Sequence, residues 1–234
     1  MKKIAILQSN YIPWKGVFDM INQVDTFVFF DDVQYTKQSW RNRNKIKTEN
    51  GLKWLMVPVK KSPLMTKIFE IEISENGDWQ EKHYNLITQS YSKAPFFNEY
   101  RFLLEDIYLK KRWKKLSELN IFSTKLIADS LGIKTEFVNS VDLDTKGAKD
   151  DKLIEICRGL GADTYLSGPA AKDYIAEDKF KEANIGLEYI IYDYPEYNQL
   201  YGEFDHYVTV LDLIFNCGKN SEKYIFRNKF EKVL

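Results

Sequence analysis

The chain has 234 residues, 44% apolar and 15% aromatic, with 34 Lys and Arg against 34 Asp and Glu. Such a composition excludes an intrinsically disordered chain and allows a sizeable core, while zero net charge argues against holding nucleic acid through the overall field. No apolar run reaches the roughly 18 residues of a membrane span, and Cys157 and Cys217 are too few for a disulfide framework and lack metal-ligand spacing.

Residues 4–7 form an apolar run that turns polar at Gln8-Ser9-Asn10, too short for a secretion signal, so a cytoplasmic location is expected. An amphipathic stretch at 16–24 and the run 26–30, which ends at Asp31-Asp32, complete a βαβ opening. Residues 53–59 read as a strand, and 68–73 alternate with period two like a half-exposed one. Helical spacing takes over from 79 to 131, broken at Pro95 and closed by Gly132, and is read as a helical insertion within one α/β domain covering 1–234. Strand and helix then alternate again: a strand at 135–138, a helix at 150–160, a strand at 164–166, a helix near 170–174 and a strand at 187–192. This pattern predicts a mostly parallel sheet covered by helices. An apolar stretch at 208–215 predicts a buried helix, and 224–234 a basic surface segment.

In an open α/β sheet ligands sit beyond the carboxyl ends of the strands, which singles out three segments. The first, Gln8-Ser9-Asn10-Tyr11-Ile12-Pro13-Trp14-Lys15-Gly16, leads from a strand into a helix whose free N–H groups suit a phosphate or carboxylate. The same residues also serve as an ordinary capped loop with Trp14 on the core. The second runs from Asp31 to Lys47. Its paired carboxylates, Asp31 and Asp32, suit a base or a cation ligand, and Arg41, Arg43, Lys45 and Lys47 alternate so as to share one face of an extended segment and clamp phosphate. Gln34, Lys37, Trp40 and Asn44 lie among them, a density of amides, aromatics and both charge signs that points to an anionic ligand rather than to a solvated charge run. Tyr35 and Trp40 interleave with basic residues as stacking platforms for single-stranded nucleic acid would; charge neutrality makes that the weaker reading.

The third segment, residues 161–172, brings Ser167 and Gly168 to a turn where backbone amides can approach a phosphate or acyl oxygen. A helix cap is the alternative, and without a Gly-x-Ser-x-Gly elbow Ser167 is a poor activated nucleophile. Of the two histidines, His206 is the better candidate for a general base, and His83 sits in a helical stretch. Cys217 reads as a buried small hydrophobe more readily than as a nucleophile. The aromatic, polar loop 194–201 is placed to close over a ligand.

The segments Gln8 to Gly16, Trp40-Arg41-Asn42-Arg43, Gly161-Ala162-Asp163-Thr164-Tyr165-Leu166-Ser167-Gly168 and Val210-Leu211-Asp212-Leu213-Ile214-Phe215-Asn216 resemble the WbqC-like family of bacteria over nearly the whole chain. Members are typically encoded among genes for O-antigen and other surface polysaccharides, close to sugar aminotransferases. The resemblance implies a cytoplasmic role in tailoring nucleotide-linked sugars or their precursors, and it carries no agreed catalytic residues. Residues 4–17 are also similar in layout to the strand and H-x-G-H loop of pantothenate synthetases and other nucleotidyltransferases, with Trp14-Lys15-Gly16-Val17 in the motif's place and its glycine in register. That likeness implies a Rossmann-like (nucleotidyltransferase-like) core. Both histidines of the motif are absent, which leaves Lys15 and the cluster from Arg41 to Lys47 to supply positive charge.

The expectation is an α/β enzyme that transfers or ligates a small acyl or aminoacyl group onto an amino sugar or nucleotide-linked sugar. In it Lys15, Arg41 and Arg43 hold phosphate, Gln8, Asn10 and Gln34 orient the substrate, and Tyr11, Trp14, Lys37, Trp40, Asn44, Ser167 and Gly168 complete its site. Asp31, Asp32, Lys15 and His206 are the candidate catalytic groups, since attack by an amine requires removal of a proton. ATP or a coenzyme A thioester, with Mg²⁺, would suit this chemistry; no resident metal is assigned, and a homo-oligomer is left open. The rival reading is a non-catalytic protein of the same pathway that binds a sugar nucleotide on behalf of partner enzymes.

Overall fold

The first strand, β1 (Lys3–Leu7), is apolar at successive positions, and so is β2 (Thr26–Phe29); side chains that alternate across a strand are then buried on both faces, as in a parallel sheet between two helical layers. Between them runs α1 (Lys15–Asn22), whose Val17, Phe18, Met20 and Ile21 all face the core. A computed structural model describes residues 1–75, 77–227 and 229–233. After β2 the chain makes a separate antiparallel ribbon of β3 (Arg43–Thr48) and β4 (Gly51–Met56). The helices α2 (Trp79–Tyr91), α3 (Phe97–Tyr108) and α4 (Leu116–Ser130) follow, with Pro95 falling between the first two as expected.

The chain then returns to the sheet through β5 (Glu136–Asn139), α5 (Lys149–Gly159), β6 (Thr164–Ser167), α6 (Glu177–Glu182) and β7 (Gly186–Ile190). It ends with the apolar α7 (Val210–Cys217), the short α8 (Glu222–Ile225) and β8 (Phe230–Lys232). Strand order is β5-β2-β1-β6-β7-β8, with β8 alone antiparallel to its neighbour, so the fold is α/β with a mostly parallel sheet and a Rossmann-like core. Alternate residues feed two cores. Ala5, Phe27, Phe29 and Leu166 meet α1, α2, α3, α4 and α7 on one face, while Ile4, Ile6, Val28 and Tyr165 meet α5 and α6 on the other.

From β1 the chain moves outward on one side through β2 to β5, then crosses back to β6 and moves outward on the other side. The order therefore reverses between β1 and β6, and the loops leaving their carboxyl ends part to leave a crevice there. Those loops begin at Gln8 and Gly168.

Two expected elements differ. Residues 68–73 form one turn at Ile68–Glu70 with isolated bridges at Val59–Ile73 and Glu72–Lys115, because Ile68 and Ile71 are buried three residues apart, the spacing of a turn rather than of a strand. Residues 170–174 belong to a 3₁₀ turn, Pro169–Asp173, in which only Ala171 is buried, too little apolar surface to dock a helix. In the expected basic tail, Ile225 is buried and β8 pairs with β7; positions 228 and 234 lie outside the described residues. Among the described residues no helix is long and apolar enough to cross a membrane.

Candidate functional site

The loop that leaves β1 rests on Asp31, two residues beyond the end of β2. Its buried carboxylate accepts the Ser9 N–H at 2.8 Å and the hydroxyl of Ser117 from the first turn of α4. Burial pushes the Asp31 pKa up, against the opposing pull of those hydrogen bonds and of Arg41. Asn120, one turn further along α4, donates to Ser9 Oγ at 3.3 Å and to the Arg41 carbonyl at 2.8 Å, and the Tyr11 N–H reaches the Trp40 carbonyl at 2.9 Å. Loop and Arg41 segment are thereby joined into one bed.

Within that bed Ile12 is buried with φ at 40°, a left-handed conformation that strains a β-branched residue. Asn44 on β3 holds it there by donating to the carbonyls of Ile12, at 2.6 Å, and Tyr11, at 3.2 Å. The Tyr11 hydroxyl is buried between His83 Nδ1, at 2.8 Å, and the hydroxyl of Tyr108. Burial lowers the His83 pKa to about 4, so this imidazole is neutral packing.

Above the bed opens a cleft of about 330 Å³. Asn10 and Arg41 supply its polar floor, Trp14 and Tyr192 one aromatic wall, and Trp40 and Tyr207 the rim. Arg41 is half-buried and donates to Asn10 Oδ1 at 3.0 Å. Desolvation lowers its pKa, Asp31 offsetting part of the effect, and among the described residues no carboxylate lies within 4.0 Å of it. Trp14 meets Tyr192 edge-on, with ring centroids 4.9 Å apart. Its indole folds back over the first turn of α1, which only a glycine at position 16 allows: a Cβ there would stand 2.4 Å from Trp14 Cζ2. Gly168 lies beside this wall, where an added Cβ would stand 3.8 Å from the Tyr192 hydroxyl.

The remaining candidates are distributed around the cleft rather than in it. Lys15 is 3% exposed and turns away beneath residues 194–204, where its ammonium faces the rings of Tyr194 and Tyr197, each at 5.1 Å, and Phe204 at 5.5 Å. Desolvation lowers its pKa to about 8, with Asp212 opposing. His206 sits edge-on to Phe204 at 4.6 Å, its pKa lowered by burial and by Lys15. Asp32 points away from Asp31, to Lys152 and to the Ser140 hydroxyl at 2.5 Å; burial pushes its pKa up, and these two partners together bring it below the usual carboxylate range. The two carboxylates do not converge on a cation.

Gln34 is tied to the Leu64 carbonyl at 2.8 Å, Lys37 is exposed, and Arg43 lies over the Trp54 ring at 4.4 Å. Ser167 is buried with its hydroxyl toward that of Tyr165 at 3.2 Å, and Gln8 is half-buried behind the loop. Burial pushes the Cys217 thiol up to about 11, the protonated form at neutral pH. Sequence reasoning did not select Tyr192 and Tyr207 for the cleft, nor Ser117 and Asn120 for its support. The one available signal was the density of aromatics after β7.

Fold and site together define a Rossmann-like α/β protein with a cleft at the crossover between its two half-sheets. The chain belongs to the WbqC-like protein family, whose model matches residues 8–224. It is similar to the uncharacterized protein Rv1507c of Mycobacterium tuberculosis (strain ATCC 25618 / H37Rv), 43% identical over 227 residues, which span 96% of this chain and 98% of that protein. No solved structure matches the chain.

Proposed function

We propose that the cleft takes a phosphorylated or nucleotide-linked amino sugar, and that the protein transfers or ligates a small acyl or aminoacyl group onto it in the assembly of bacterial surface polysaccharide. The observation that carries the ligand is Arg41, a partly desolvated guanidinium aimed by Asn10 and, among the described residues, without a carboxylate in contact. A cation in that state gains most from an incoming anion, and a phosphate matches the planar donor fork. Trp14, Trp40, Tyr192 and Tyr207 add flat apolar faces of the kind that cover a base or a sugar ring. The pathway comes from the family resemblance.

In the transfer step the sugar amine attacks the acyl carbonyl, a C–N bond forms, the donor's leaving group departs and the amine proton passes to a base. His206, whose pKa burial and Lys15 lower, precedes the rim residue Tyr207 in sequence and lies outside the described cleft lining; it is the base proposed for that proton. The acyl group comes from a coenzyme A thioester, with the free thiol leaving, or from a carboxylic or amino acid that ATP converts to an acyl phosphate or adenylate, with phosphate or AMP leaving on transfer. Among the described residues no three His, Cys, Asp or Glu converge to hold a metal ion, so any Mg²⁺ is assigned to the donor's phosphates.

One observation favours the second reading, a non-catalytic accessory protein that binds a sugar nucleotide: the described lining of the cleft contains no carboxylate, histidine or cysteine. Thermal shift and turnover assays with UDP- and dTDP-linked amino sugars, with and without acyl-coenzyme A or ATP together with an amino or carboxylic acid, separate the two. Enzyme action predicts stabilisation by the sugar nucleotide, more with a donor present, and an acylated product. Arg41→Ala is expected to weaken sugar-nucleotide binding by at least about tenfold, or ~1.4 kcal/mol, without unfolding the chain. A shift with no product under any donor leaves the accessory reading, and the absence of a shift with every anionic sugar removes the ligand assignment.

A further inference from the structure

Charge on this neutral chain is unevenly placed. Between Gln34 and Lys67 fall nine of its 34 basic residues and one of its 34 acidic ones, Glu49, which leaves 25 bases and 33 acids to the rest. The same segment holds Trp40, Leu52, Trp54, Met56, Leu64 and Met65, all between 41% and 78% exposed.

The β3–β4 register shows how these side chains group. Arg43 stands opposite Met56 and Lys45 opposite Trp54, and cross-strand partners project to one side, so all four share the outer face of the ribbon. There the Lys45 ammonium lies 5.0 Å from the Trp54 ring, and Trp40 joins that ring at 5.6 Å. Where β4 ends, Met56 enters a groove with Lys37, Lys60 and Lys61, and the loop beyond it carries Leu64 and Met65 outward. Of the nine cations Lys47 is buried against Gln199 and the Glu203 carbonyl and Arg41 lies in the cleft; of the other seven only Lys60 has an ion-pair partner among the described residues, Glu72 at 2.8 Å.

Exposed apolar side chains in such number mark an interaction surface. Interspersed with cations of which Lys37, Arg43, Lys45, Lys53, Lys61 and Lys67 have no ion-pair partner among the described residues, they match an anionic bilayer: positive charge draws the face to the headgroups, tryptophan suits the interface, and Leu and Met enter the acyl boundary. Single-stranded nucleic acid would use the cations and the rings but would leave Leu52, Met56, Leu64 and Met65 in water. We infer that the β3–β4 ribbon and the loop 60–67 form a docking face for an anionic phospholipid surface. Because Trp40 belongs both to this face and to the cleft rim, docking sets the cleft mouth against the bilayer.

The inference goes beyond the cleft's ligand, and its test contains none. The full chain is sedimented with vesicles of phosphatidylcholine alone and of phosphatidylcholine with about one third phosphatidylglycerol, at about 0.1 M and about 0.5 M salt. Binding is expected to the anionic vesicles only, about tenfold or more above the neutral ones, and to be lost at the higher salt. Leu64→Ser with Met65→Ser, and separately Lys37→Glu with Lys61→Glu, should each weaken it about fivefold or more with the thermal midpoint unchanged, since these side chains are exposed. The inference is overturned if neither vesicle is bound, if both double variants bind like the parent, or if a single-stranded RNA is bound while vesicles are not.

Discussion

On one side of the cleft, residues 8–12 lie on a buried carboxylate and two amides, Asp31, Asn44 and Asn120, each aimed at a particular backbone or hydroxyl group. On the other, residues 192–207 set three rings around the ammonium of Lys15 and are tied at their tips, the Tyr194 hydroxyl to Asp19 at 2.9 Å and the Tyr197 hydroxyl to Asp212 at 2.7 Å, while just beyond them the Thr209 and Val210 N–H groups reach the Lys45 and Pro13 carbonyls. On the first side the hydrogen bonds end on the loop backbone and on Ser9 and fix its path, whereas on the second they hold the tips of Tyr194 and Tyr197 and leave ring faces for packing. The groups that would recognise charge, Asn10 and Arg41, belong to the directional side, and the aromatic surfaces of Tyr192 and Tyr207 to the other. One side would set where a ligand's charge must sit, and the other supplies aromatic surface for what is attached to it.

Breaking the directional side should cost most. Asp31→Ala leaves the Ser9 N–H and the Ser117 hydroxyl buried without acceptors and is expected to destabilise the chain by about 3 kcal/mol in urea unfolding. Asp31→Asn preserves an acceptor for Ser9 and separates hydrogen bonding from charge, so its cost should stay near or below about 1 kcal/mol. The pH dependence follows from the raised pKa. The folded chain holds the Asp31 proton more tightly than the unfolded one, so this residue's contribution is complete below the ordinary carboxylate pKa and declines as pH rises toward the folded value. Asp31→Asn should remove that decline, and equal slopes in parent and variant would show that Asp31 is not its source.

A smaller effect tests the junction of the two sides. Gly16→Ala places a Cβ against the Trp14 indole and must displace it from Tyr192. The expected stability cost is about 1 to 2 kcal/mol, as for overpacking elsewhere, with a change in tryptophan fluorescence and weaker binding of whatever sugar nucleotide stabilises the parent. Unchanged binding with a displaced indole would confine recognition to Asn10 and Arg41.

What could be read from the sequence divides along similar lines. β1 and β2 were legible because strands buried on both faces carry apolar residues at successive positions, Ile4 to Leu7 and Phe27 to Phe29, and the helical stretch because Pro95 and Gly132 punctuate it. The loop from Gln8 to Gly16 stood out as a polar passage from strand to helix. What each side chain touches was not legible: Asp31 and Asp32 are adjacent and alike, yet one turns to Ser9 and Ser117 and the other to Ser140 and Lys152, partners up to 120 residues away. Lys15 is a comparable case, since its aromatic surroundings arrive from about 180 residues later in the chain. No local pattern distinguishes a lysine that faces a phosphate from one that faces rings.

Lys15→Met probes the aromatic side, and its effect should be the smallest. The folded pKa of about 8 lies below the 10.5 of an ordinary lysine. Between those values the folded chain has released a proton that the unfolded chain keeps, so the parent's stability rises with pH across that window, and below about pH 8 the buried charge weighs against folding. Methionine keeps the length and removes the charge. At pH 7 the variant should be as stable as the parent or up to about 1 kcal/mol more so, well short of the full shift because solvent screens part of the field and the ring contacts offset part of the burial. The difference should close as pH approaches 10. A loss of more than about 2 kcal/mol at pH 7 would instead mean that the rings depend on the cation they enclose, and the two sides of the cleft would then both be held by charge.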